Sequence, residues 1–128
     1  MAAMARLAKT IPLEQYFEGH ERARELFEAV RVAVQAIGDA EVRVTSSQIA
    51  FRRRRSFAWT WLPDQFLSGA VAPLVLSIDL DRFDTSLRWK EVAEPSLNHF
   101  LHHLEVFGEE DLTDEVLDRV REAWSKAG

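Results

Sequence analysis

Cysteine is absent from this 128-residue chain, which removes disulfides, thiolate zinc sites and cysteine nucleophiles together. Long hydrophobic runs are absent as well. Charged or polar residues interrupt every apolar stretch before the roughly 18 residues that a spanning helix needs. The opening MAAMARLAKTIP has no apolar segment of signal-peptide length. Positive charge is not in excess: the net charge is −5, so no global field draws the chain to nucleic acid or to anionic lipid. The commonest nucleotide cradles, G-x-G-x-x-G and G-x-x-x-x-G-K-[ST], do not occur. Neither does the H-E-x-x-H zinc motif, and Ser46, Ser47 and Ser77 lack a G-x-S-x-G setting. These absences lead to the expectation of a cytoplasmic domain with no metal and no cofactor.

What remains is 47% hydrophobic and 29% charged, the balance of an ordinary globular domain. Residues 1–12 show no sustained period and end in Ile-Pro, so they read as a flexible leader to a single domain over 13–128. From Leu13 to Ile37, apolar residues Leu26, Phe27, Val30, Ala33, Val34 and Ile37 recur at helical spacing. Gly19 splits off a short first turn and Gly38 stops the main helix. The period then changes to two, which predicts strands over Val42–Thr45, Gln48–Arg53, Ser56–Leu62, Leu74–Leu80 and His99–Val106. Between them, 62–73 and 81–98 read as irregular. A last amphipathic helix starts near Asp111 or Thr113 and carries Val116, Leu117, Val120 and Trp124 on one stripe. The fold class expected is α+β: an antiparallel sheet of four to five strands with N- and C-terminal helices packed on one face, a two-layer sandwich.

Alternation divides the sheet into two faces. Ile49, Phe51, Phe57, Trp59, Trp61, Leu74, Leu76, Ile78, Leu80, Phe100, His102, Leu104 and Val106 form the expected core face. Gln48, Ala50, Arg52, Ser56, Ala58, Thr60, Val75, Ser77, Asp79, His99, Leu101, His103 and Glu105 form the polar one. A three-residue turn of Arg53, Arg54 and Arg55 keeps this division, pairing Arg52 with Ser56, Phe51 with Phe57 and Ile49 with Trp59.

Two stretches resemble a known family. Thr45-Ser46-Ser47-Gln48-Ile49-Ala50-Phe51-Arg52, followed by Arg55-Ser56-Phe57-Ala58, is similar to the paired-strand signature of a bacterial family known only as a domain of unknown function. Asn98-His99-Phe100-Leu101-His102-His103-Leu104-Glu105, with the acidic start and late tryptophan of Asp111 to Trp124, resembles that family's end. The resemblance spans about 13–125 and implies a fold boundary but no chemistry.

The polar face and the arginine turn carry the candidate sites. Guanidinium groups bind carboxylate or phosphate through paired donors, so Arg52, Arg53 and Arg55, with His103 and Glu105, form the expected surface of a non-catalytic binding or accessory module. Its partner would be an anionic small molecule or a protein. The rival is an enzyme that uses His103 with Glu105 or Asp79 for acid/base work. His99 and His103 lie four residues apart, about 13 Å along a strand, too far for one metal. His102 reads as a core histidine, and Trp89 as a plug over the sheet edge or the wall of a pocket.

Overall fold

The computed structural model describes residues 9–128. Helices α1 (Leu13–Tyr16), α2 (Glu21–Ile37) and α3 (Asp114–Lys126) pack on a sheet of β1 (Glu41–Val44), β2 (Ile49–Arg52), β3 (Ser56–Trp61), β4 (Leu74–Leu80), β5 (Glu91–Ser96) and β6 (His99–Val106). The strand order is β1-β2-β3-β4-β6-β5, antiparallel throughout. The α+β class and the helices at each end are as expected, with six strands in place of four to five. Among the described residues no helix is long and apolar enough to cross a membrane.

Helix α2 buries Ala23, Leu26, Phe27, Val30 and Val34 at helical spacing. Gly19 takes a left-handed φ of 78° between α1 and α2, a conformation that a Cβ disfavours. Gly38 ends α2 for a different reason: a Cβ there would collide with the Trp124 indole of α3. That indole donates to the Asp39 carbonyl at 2.9 Å and joins the two helices. Helix α3 begins at Thr113, whose hydroxyl accepts from the Val116 N–H, with Asp114 and Glu115 at the positive end of the helix dipole.

The segment before α1 is tied down where it is described. Thr10 bridges Thr45, and the Ile11 N–H bonds the Val44 carbonyl, so these residues cover the outer edge of β1. The remainder of the expected flexible leader, residues 1–8, lies outside the described residues.

The β2–β3 hairpin corrects the division of faces. The three-residue turn is present and Arg52 pairs with Ser56, but the register then shifts: Phe51 pairs with Ala58, Ala50 with Trp59 and Ile49 with Thr60. Phe57 is the extra residue of a β-bulge. A three-residue turn ordinarily needs a left-handed residue, and none of the three arginines has a positive φ, so the bulge absorbs the mismatch. In consequence Phe57 is buried as expected, but beyond it the strand is inverted. Ala58 and Thr60 are wholly buried on the helix side, beneath α3, where small side chains let the helix approach. Trp59 and Trp61, expected in the core, are half-buried on the other face.

The segment 81–98, expected to be irregular, contains β5. Glu-Val-Ala-Glu-Pro-Ser has no alternation and holds Pro95, which only an edge strand tolerates; β5 is that edge. It reaches β6 through a tight turn with Asn98 at φ 65°. The connection from β4 crosses the helix side of β6, where Trp89 packs on His102 at 5.2 Å between ring centroids.

Phe57→Ala should destabilise the domain by about 3 to 5 kcal/mol, because it empties a large buried site. Arg54→Ser should stay within about 0.5 kcal/mol, since Arg54 is exposed and its backbone N–H, which bonds the Ala127 carbonyl, is kept. A chemical-denaturation series on the two variants measures both; equal losses would contradict this register.

Candidate functional site

The arginine turn is joined to the end of α3. Arg53 donates to the Trp124 carbonyl at 2.8 Å and lies 3.8 Å from the centre of the Trp124 ring. Arg55 donates to the Lys126 carbonyl at 3.3 Å, and Arg52 pairs with Glu41 at 3.3 Å. The last carbonyls of a helix carry its negative partial charge, so the arginines act as a cationic cap on α3. A groove of about 650 Å³ runs past Gln35, Asp39, Glu41, Arg52 and Arg53, wide open to solvent, and both of its arginines already have partners.

His103 and Glu105 lie elsewhere, on the face opposite the helices. One continuous cross-strand row there reads Arg43, Ala50, Trp59, Ser77, His103, Glu91. The next row is Trp61, Val75, Glu105. Because the bulge turns Trp61 outward, its indole N–H reaches the Ser77 hydroxyl at 2.9 Å. That hydroxyl lies 2.6 Å from Nδ1 of His103, and the Trp61 and His103 rings meet edge to face at 5.9 Å. The direction of the chain follows from its chemistry. Trp61 can only donate, so the Ser77 oxygen accepts. Ser77 is buried and its proton has no other acceptor among the described residues, so it points at Nδ1. Neutral His103 therefore carries its own proton on Nε2.

His103 is held below the ordinary histidine range by burial; the Glu91 carboxylate opposes this and His102 adds to it. The bond from Ser77 acts in the same direction, because it stabilises the neutral ring. Beside His103, Lys90 pairs with Glu105 at 3.1 Å. These groups surround a partly enclosed pocket of about 90 Å³ whose apolar wall is Trp61, Pro63, Leu67, Val71 and Val75. A larger and more open hollow of about 410 Å³, lined by Ser47, Gln48, Trp61, Phe66 and Leu67, adjoins it. Leu67, which lines both, is 51% exposed, and Phe66 in the hollow is 59% exposed.

The remaining candidates divide as follows. Asp79 pairs with His99 at 2.9 Å, not with His103, in a separate hollow with Arg55, Asp81 and Lys126, where Lys126 is bound to Asp81 at 2.9 Å. His102 is the core histidine expected: its Nδ1–H donates to the Phe100 carbonyl, and its Nε2 accepts the Asp84 N–H at 2.9 Å. Burial, opposed by the bonds to the Phe100 and Ile78 backbone, lowers its pKa. The Trp89 indole donates to Asp84 at 2.8 Å, which completes the plug. Among the described residues no cluster of three or more His, Asp or Glu can hold a metal ion. Trp61, Ser77, Lys90, Glu91 and Leu67 are the site residues that sequence reasoning did not assign. The bulge hid Trp61 and with it the contact to Ser77, which was already on the polar face, and the unrecognised strand β5 hid Glu91.

A family model described as a domain of unknown function (DUF5655) matches residues 13–127. No curated protein and no solved structure matches the chain.

The two depressed histidines set the pH response. The unfolded chain takes up protons as the pH falls through the ordinary value of 6.5, while His102 and His103 in the folded state take them up only at lower pH, so their contribution is intact above 6.5 and declines as the pH falls below it. His20 acts in the opposite sense: burial lowers its pKa, but the bonds to Asp64 and the Glu18 carbonyl outweigh this and raise it. Its partner Asp64 is half exposed and the pair is screened by solvent, so its contribution is the smaller one. Asp81, Asp84 and Glu122, all lowered, begin from 3.8 to 4.5 and act below this range. We expect the urea midpoint to fall between pH 7 and pH 5, with a shallower slope in His103→Asn. A midpoint that rises over this interval would contradict the burial of neutral histidine.

Proposed function

The chain belongs to this family of domains of unknown function, so its activity has to be argued from the site, and we propose that it is a non-catalytic module that binds a protein partner through the Trp61–His103 pocket. The observation that carries this reading is the size and setting of the pocket. About 90 Å³ suits one inserted side chain, whereas small-molecule sites run to roughly 300–1,000 Å³. Leu67 on the rim, continued by Phe66 in the hollow toward Ser47 and Gln48, offers apolar contact to a chain lying across it. One lysine against two glutamates gives the pocket no preference for an anion, so a protein partner is favoured over the anionic small molecule.

Acid/base catalysis by His103 is less well supported. A general base needs a free imidazole lone pair within reach of a substrate. Here Nδ1 is occupied by Ser77 and Nε2 carries the proton. Glu105 is paired with Lys90 and Asp79 with His99, so neither carboxylate orients His103.

Random peptides displayed on phage and selected against the domain test the reading. Enriched peptides should bind a Leu67→Asp variant at least about tenfold more weakly, because a charge on the rim must be desolvated. Leu67 is exposed, so the variant should keep its fold. Peptides that bind both proteins equally would remove the pocket from the interface.

A further inference from the structure

Given the docking reading above, we infer that the side chain received by the pocket is a carboxamide, that of glutamine or asparagine, presented by a partner segment with apolar neighbours. The inference rests on the hydrogen-bonding groups left over in the pocket. Ser77 occupies Nδ1 of His103 and fixes the proton on Nε2, and Nε2 makes no hydrogen bond among the described residues. His103 therefore offers one N–H donor and no acceptor. Its cross-strand neighbour is Glu91, on the same face and lining the same pocket. Residues paired in this way have Cβ atoms about 4.5–5.5 Å apart. Glu91 is exposed and forms no ion pair among the described residues, whereas Glu105 is paired with Lys90. Beside the Lys90–Glu105 ion pair, the pocket thus places the His103 N–H donor next to the carboxylate of Glu91, above the apolar wall of Trp61, Val71 and Val75.

A carboxamide matches both groups at once: its oxygen accepts from His103 Nε2–H and its NH₂ donates to Glu91. A lysine or arginine satisfies Glu91 but leaves the His103 N–H facing another donor. A carboxylate satisfies His103 but is repelled by Glu91. An aliphatic side chain leaves both polar groups unpaired, and a site built to hydrogen-bond discriminates strongly against a group that cannot. The methylenes of glutamine lie naturally against Trp61 and Leu67.

The test uses a peptide obtained by selection on the intact domain. An alanine scan first finds the position at which replacement weakens binding most, and that position is then made Gln, Asn, Lys, Glu or Leu. Binding is followed by calorimetry. Gln or Asn should bind at least about tenfold more tightly than Lys, Glu or Leu, and the Glu91→Ala domain should lose most of that preference while still binding. Tightest binding by Lys or by Leu, on a peptide that still depends on Leu67, would overturn the carboxamide and leave the docking site standing. Selection that yields no Leu67-dependent peptide would overturn both.

Discussion

The extra residue at Phe57 governs which side of β3 each side chain takes. A strand has a period of two, so one inserted residue exchanges the faces of everything beyond it. Phe57 stays in the core beside Phe51, while Ala58 and Thr60 pass beneath α3 and Trp59 and Trp61 turn away from it. The same insertion removes the need for a left-handed arginine in the turn. It also determines the chemistry of the opposite face, because Trp61 reaches Ser77 only from that side, and Ser77 then fixes the proton of His103. A local backbone irregularity thus propagates over three strands into the state of one imidazole.

The arginine turn has its own structural purpose. Four consecutive arginines at a hairpin invite an anion in sequence terms, yet here the chain's last helix supplies the negative groups. Arg53 and Arg55 bond the carbonyls of Trp124 and Lys126, and the Arg54 N–H bonds that of Ala127. The cluster closes the hairpin against α3 and joins the centre of the sheet to the C-terminal helix. It follows that charge density alone is a poor guide to a binding site when a helix terminus is near in space but distant in sequence.

Much of the fold was legible because it depends on local pattern. The helical spacing of Leu26, Phe27, Val30 and Val34 and the apolar alternation of β4 and β6 carried over unchanged, and of the two N-caps the sequence offered for α3, Asp111 and Thr113, the structure uses Thr113. The site was less legible for reasons that can be stated. His103 and Glu105 were identifiable as polar-face neighbours, but a bulge leaves no compositional mark, so Trp61 was assigned to the wrong side and its contact with Ser77 could not be seen. Strand β5 escaped because an edge strand with a proline has neither alternation nor apolar content, and with it went Glu91. Asp79 was paired with the wrong histidine because the strand pattern orders residues along one strand but does not fix the register between β4 and β6.

The central claim is that the bulge turns Trp61 outward and so holds His103 as a neutral Nε2–H donor. Long-range ¹H–¹⁵N correlation spectra of the His103 imidazole at neutral pH test it directly. The expected result is a protonated Nε2, a bare Nδ1, and nuclear Overhauser contacts between the His103 and Trp61 rings, with the tautomer preference lost in Ser77→Ala. A proton on Nδ1, or no contact between the two rings, would contradict the account.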